Sequence, residues 1–312
     1  KTTFCMVVFS SSMKLLKVLL ASAGTVARAE KYGTANYHNF KRQFDTTITT
    51  FTTENDLKIC TDDSSPAQSK CPADRDCCEA QYSPSGFGCT NESGDGCCLL
   101  GPALSPAEIN PELPNCLIMG DSVSIGYVIP VALALAPVCN VQHAPWDVSN
   151  GGWGSSDAAR GCLDLMLRTA KQEEVKWDVI FFNNGLHDLD NNNTQGIQTY
   201  TDNMNAITAV LKESTDNLLY GMTTPQQALY RDGNSMVEDL NAAAQEIMAS
   251  HGVPTFDLYQ RVVDYCGPVP YVDCDICAAS PCDFHYTYPG SAWIGTIIEQ
   301  AILSVLPPKA TE

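Results

Sequence analysis

Beyond residue 115 the apolar residues fall into five short runs separated by longer stretches of mixed polarity. The runs are CLIM at 116–119, VCNVQ at 138–142, DVIFF at 178–182, NLLYGM at 217–222 and VPTFDL at 253–258. Each has the length of a strand, and most are apolar at consecutive rather than alternate positions, the mark of a strand buried on both faces. Between them Ile197, Tyr200, Met204, Ile207 and Leu211 recur at three- and four-residue steps, which predicts a helix over 196–214. Further helices are predicted over 156–174, 235–251 and 291–305. Strands alternating with helices predict an α/β protein, a three-layer α/β/α sandwich with a five-stranded parallel sheet. In such sheets functional groups collect beyond the carboxyl ends of the strands.

The chain before 115 reads differently. A stretch from Met13 has two lysines, a short apolar run and a small-x-small end at Ala27-Arg28-Ala29, the layout of a secretory signal cleaved after Ala29. Residues 1–29 are therefore set aside as a signal region and 30–59 as a polar, Thr-rich lead-in. Seven cysteines crowd into 60–98, where aliphatic residues are almost lacking, so this segment needs disulfides to hold a shape. Residues 99–114, with four prolines, form a linker; 115–306 is the α/β domain and 307–312 a tail.

Charge and cysteine count narrow the class. The net charge of −18 excludes a nucleic-acid backbone or an anionic membrane as the natural partner. Fifteen cysteines in 312 residues suit an oxidising compartment, and two sequons, at Asn91 and Asn192, agree with export. After the signal region seven cysteines lie in 60–98 and seven beyond it. If all are paired, two odd sets require at least one bridge from the small segment to the large domain. The late run CDICAASPC at 274–282 is read as disulfides pinning the segment before His285 rather than as a zinc site, and no metal or cofactor is expected.

Three motifs carry candidate chemistry: GDSVSIG at 120–126, NGLHDL at 184–189 and DFHYTYPG at 283–290. Ser122 follows a strand-like run, and His285 lies late enough to return to it. Together they are a nucleophile and the base that activates it. Asp121 and Asp188 are read as acceptors for loop backbone rather than as proton carriers. With the glycine run NGGWGSS at 150–156, the order of the motifs resembles the SGNH (GDSL-type) hydrolase family over about residues 114–306. The 60–98 cysteine pattern resembles knottin or hevein modules.

The first resemblance implies a flavodoxin-like sheet and a Ser122–His285 catalytic pair. It places an oxyanion hole at the Ser122 N–H, Gly152 and His187, with Gly154 and Asn184 lining the substrate. Two positions depart from the family. His187 stands where the family has Asn, and Cys282 stands where it has the Asp that orients the histidine, so Asp283 is the candidate third member, with a Ser–His dyad oriented by a backbone carbonyl as the alternative. The activity implied is that of a secreted serine esterase removing acyl, chiefly acetyl, groups from a small-molecule or polysaccharide ester. A lipid or small-ester hydrolase and a sugar O-acetyltransferase are open alternatives, as is a non-catalytic extracellular glycan-binding protein. The second resemblance implies a glycan partner for the cysteine-rich segment, with a structural staple as the alternative.

Overall fold

Five parallel strands make the central sheet: β6 (Asn115–Met119), β7 (Asn140–His143), β8 (Val179–Phe182), β9 (Leu218–Gly221) and β10 (Thr255–Phe256). They coincide with the five apolar runs and lie side by side in the order β10-β9-β8-β6-β7. β6 is thus flanked by β7 on one side and β8 on the other, all parallel. Chain direction across the sheet reverses there, leaving a crevice beyond the carboxyl ends of β6 and β8. The computed structural model describes residues 57–60, 69–72, 74–79, 87–98, 105–106, 109–145, 154–169, 173–189, 196–226, 233–269, 271 and 273–306. The signal region, most of the lead-in, Gly152, the Asn192 sequon and the tail lie outside them.

Helices cover both faces. Leu117, Met119, Ile180, Phe182, Leu218 and Tyr220 point to one side, into a core with Tyr200, Met204, Ile207, Leu240, Ala244 and Met248. These come from α4 (Ile197–Ser214) and α5 (Gly233–His251). The opposite face packs against α1 (Ser122–Leu135) and α7 (Tyr288–Val305); Tyr127 meets Phe181 edge-on with ring centroids 6.5 Å apart. α1 and α7 approach closely because each offers a glycine at the crossing. A Cβ on Gly126 would lie 2.9 Å from the Ser291 hydroxyl, and one on Gly295 would lie 3.0 Å from Pro130 Cβ.

Four helices differ from the sequence reading. The stretch 156–174 is two short helices, α2 (Ser156–Gly161) and α3 (Leu163–Met166), broken at Cys162. Cys162 is tethered to Cys98, and the Leu167 carbonyl just past α3 accepts from the Trp177 indole at 2.7 Å, which ends the helix well short of 174. α1 went unpredicted because SVSIGYVIPVALAL is apolar on nearly every face and so carries no helical period. α6 (Leu258–Cys266) is short and capped by Asp257, whose side chain accepts from Gln260 N at 2.8 Å.

The cysteine-rich segment forms two small antiparallel sheets, β1 (Leu57–Cys60) with β2 (Ser69–Pro72), and β3 (Cys77–Glu79), β4 (Phe87–Thr90) and β5 (Cys97–Cys98) together. Cys71–Cys89 and Cys78–Cys97 staple them, and Cys98–Cys162 supplies the crossing bridge that the odd cysteine counts required. Around that bridge Arg75 reaches Asp164 at 2.8 Å and Arg168 reaches Asp74 at 2.8 Å. Cys71, Cys89 and Cys98 bury against Leu165. Among the described residues no helix is long and apolar enough to cross a membrane.

The Cys98–Cys162 bridge closes 64 residues of sequence separation. Loop-closure entropy for that length makes it worth about 4 kcal/mol. Replacing both cysteines by Ser should lower the denaturation midpoint by the equivalent amount, and peptide mapping of the unreduced protein should recover the 98–162 cross-link. A midpoint unchanged from wild type would show that the two parts are held by the surrounding ion pairs instead.

Candidate active site

The nucleophile candidate stands where the sheet reverses. β6 ends at Met119, the chain turns through Gly120 and Asp121, and α1 begins at Ser122. Asp121 has extended backbone angles (φ −82°, ψ −163°) and caps the helix by accepting from Val123 N at 2.9 Å. Ser122 is thereby the first helical residue, half-buried, with its N–H among those that no helical carbonyl can accept from. Such a donor at the positive end of a helix suits a developing anion. Gly120 is required by close approach, because a Cβ there would lie 2.9 Å from the Ser124 hydroxyl.

His285 arrives from the other end of the chain. Its Nε2 lies 2.9 Å from the Ser122 hydroxyl across 163 residues of sequence. Main-chain pairing fixes its position: Ala278 N donates to the His285 carbonyl at 2.9 Å, Cys277 bridges to Tyr286, and Thr287 N donates to Ile276 O at 2.8 Å. Cys266–Cys274 and Cys277–Cys282 staple this segment, so the late cysteines are disulfides. Thr287 then caps α7, which fixes the direction of the chain after the histidine.

Asp283 accompanies His285 without closing a hydrogen bond to its ring. One carboxylate oxygen accepts from the His285 backbone N at 2.6 Å, and the other stands 3.7 Å from Nδ1. That is ion-pair range but too long for a hydrogen bond. The arrangement is a close Ser–His pair with a carboxylate beside the ring.

The loop after β8 faces Ser122. Asn183 N donates to Met119 O at 3.0 Å and its side chain to Gly221 O at 2.6 Å, joining the ends of three strands. The Asn184 carbonyl accepts from three hydroxyls, Tyr200 at 3.1 Å, Tyr220 at 3.0 Å and Thr223 at 2.8 Å. Gly185 follows with φ +152°, and a Cβ there would lie 2.5 Å from the Thr223 hydroxyl, so only glycine fits. This turn delivers His187 in a one-turn 3-10 helix, Leu186–Leu189. Burial raises the pKa of Asp121, and His187 pulls it back down ahead of His285. His187 therefore sits within electrostatic reach of the turn that carries Ser122.

Asn184 differs from the sequence reading. It was expected to line the substrate, yet it is completely buried and its amide donates to the Gly154 carbonyl at 3.1 Å. Gly154, also expected to line the substrate, is itself buried, at φ +70°. The pair joins the glycine run to the 184–188 turn from within the protein. Asp188 reinforces the join: it accepts from Ser156 N at 3.1 Å and from the Ser156 hydroxyl at 2.7 Å, and burial pushes its pKa up to about 6. Asn203 completes the cluster by donating to Ser156 Oγ at 3.1 Å.

Sequence reasoning missed the three hydroxyls on Asn184 and a buried contact, 2.7 Å, between Ser124 and His143. The signal for the second was a rare residue at a strand end, since the chain has five histidines.

No protein-family profile matches the chain, and no curated protein sequence does. Solved structures do resemble it. A lipase/acylhydrolase from Enterococcus faecalis is 17% identical, with 64% of this chain and 100% of that one covered at a TM-score of 0.49. A GDSL-like lipase from Bacteroides thetaiotaomicron is 14% identical, covering 64% and 92% at 0.48. The acetyl xylan esterase AlAXEase is 12% identical, covering 60% and 99% at 0.48.

Proposed function

We propose that the protein is a secreted serine esterase that removes acyl groups, chiefly acetyl, from carbohydrate esters. The observation that carries the reading is the 2.9 Å contact between the Ser122 hydroxyl and His285 Nε2 at the sheet's reversal. Ser122 Oγ attacks the ester carbonyl carbon as its proton passes to His285 Nε2. The carbonyl oxygen becomes an oxyanion facing the Ser122 N–H, with His187 and Gly152 as the further donors. The tetrahedral centre collapses, the alcohol leaves with the proton from His285, and an acyl-Ser122 remains. Water then repeats the sequence, giving its proton to His285 and releasing the acid.

Export is supported by the leader-like segment and by the disulfides. The carbohydrate part rests on the cysteine-rich segment. Cys98–Cys162 bonds it to the end of α2, the helix that begins directly after the glycine run, where it can hold a polymer near the site.

Hydrolysis of p-nitrophenyl acetate, p-nitrophenyl octanoate and an acetylated oligosaccharide tests the reading. Acetyl esters should turn over fastest, and Ser122→Ala should abolish turnover and fluorophosphonate labelling while leaving the fold intact. Equal labelling of wild type and variant would move the nucleophile elsewhere. Preference for octanoate would make the protein a lipid or long-chain esterase, and transfer to a sugar without free acetate would make it an acetyltransferase.

Asp283→Asn removes the charge beside the ring while its side-chain oxygen still accepts from His285 N. An ion pair at that separation in a partly exposed site is worth about 1–2 kcal/mol, so kcat should fall about tenfold. A fall of about 10⁴-fold, the scale for a hydrogen-bonded orienting acid, would show that the carboxylate closes on Nδ1 during reaction.

His187→Ala should lower kcat by about 10²–10³-fold, as loss of one oxyanion donor does. His187→Asn, which restores a donor, should keep most of the activity. Full activity in the alanine variant would leave the hole to backbone N–H groups alone.

A further inference from the structure

A second serine–histidine contact lies directly behind the first. Ser124 is two residues after the nucleophile, and its hydroxyl lies 2.7 Å from His143 Nε2 and 2.6 Å from the Asp121 carbonyl. The other His143 nitrogen, Nδ1, lies 2.7 Å from the Ala144 carbonyl. Both residues are 1% exposed, so neither touches substrate. His143 ends β7 opposite Ile118 of β6, and Ala144 N donates to Ile118 O at 2.9 Å, so its backbone belongs to the sheet.

We propose that His143 is a positioning residue for Ser122, acting through Ser124 to brace the nucleophile turn against the sheet. The argument is one of contacts. The Ser124 hydroxyl donates to the Asp121 carbonyl at 2.6 Å and meets His143 Nε2 at 2.7 Å. On the far side of the ring Nδ1 meets the Ala144 carbonyl at 2.7 Å. Burial lowers the pKa of His143 to about 4, so the ring is neutral near pH 7. The buried ring thus joins the end of β7 to the first turn of α1. Gly120 lets Ser124 sit directly on the turn. Displacing Ser124 moves the helix start, and with it both the hydroxyl and the N–H of Ser122. A nucleophile displaced by a fraction of an ångström loses rate more than substrate affinity.

The inference rests on Ser122 being the nucleophile, and its test separates the two ideas. Ser124→Ala and His143→Phe should each lower kcat for p-nitrophenyl acetate and the rate of fluorophosphonate labelling about tenfold, with KM within twofold of wild type. The double variant should be no slower than the worse single variant, because the two residues act as one unit. Ser124→Thr, which keeps the hydroxyl, should restore most of the rate. Amide hydrogen exchange at residues 122–125 should quicken at least tenfold in Ser124→Ala while the β8 and β9 amides stay at their wild-type rates. Wild-type kcat and exchange in Ser124→Ala, or single losses that multiply in the double variant, would overturn the proposal. If His143→Phe does not fold, Ser124→Ala and Ser124→Thr decide by themselves. A wild-type protein that neither cleaves esters nor takes the label would reject the esterase reading, and the exchange rates would still decide whether the brace exists.

Discussion

The pairing of β6 with β8 is the constraint on which the site depends. The two strands are 60 residues apart in sequence, yet Ile118 lies against Phe181 and Met119 against Phe182 in parallel register. Parallel neighbours end on the same edge of the sheet, so the turn after β6 and the turn after β8 must emerge side by side. One carries Ser122, the other His187. The backbone bond from Asn183 N to Met119 O continues the ladder one step past the strands and sets the spacing of the two turns. All four residues of β8 are buried, so a slip of one residue would exchange the side chains packed on its two faces and force both to repack. The core thus fixes the active-site spacing without contributing an atom to it.

The polar shell behind the site is buried and largely bonded, and those two properties explain each other. Asn184 has no exposed surface, Asp121 and His143 have 1%, and Asp188 has 4%. Such groups are tolerated inside a protein only where hydrogen bonds replace water. The Asn184 carbonyl accepts three hydroxyls, and Asp188 gathers the N–H and hydroxyl of Ser156. The cost is visible in Asp188, whose carboxyl is driven up to about 6 by burial even though Ser156 pulls it down. Asn184 Oδ1 and Asp121 Oδ2 are buried without a hydrogen-bond partner among the described residues, and the bonds that are made tie three loops from distant parts of the chain together.

The sequence showed the parts of this design that are written locally. Consecutive apolar runs marked the five strands because most are buried on both faces, and Ser122 and His285 were visible because the order and spacing of their motifs, each weak alone, point to one site. What stayed hidden is written in tertiary contacts. α1 carries no amphipathic period, because sheet and α7 enclose most of its faces, so its sequence resembles a buried strand as much as a helix. Asn184 reads as a site residue from its place in a motif, but whether it points to substrate or to Gly154 depends on a loop 30 residues upstream. Ser124–His143 joins a helix to an edge strand, and neither residue marks the other.

Cys282 shows how position and charge, which one aspartate combines in the resembled family, are divided here. The disulfide it makes with Cys277, the Cys277–Tyr286 bridge and the Ala278-to-His285 bond hold the histidine's backbone in place. Asp283 is then free to spend one oxygen on the His285 N–H and turn the other toward Nδ1 from 3.7 Å. Covalent and main-chain restraint hold the histidine in place, and the carboxylate stands beside its ring, 3.7 Å from Nδ1. Restraint of the backbone does not weaken with salt, whereas the field of a partly exposed carboxylate does. The placement of the histidine is therefore insensitive to salt, and its pairing with the carboxylate is open to it.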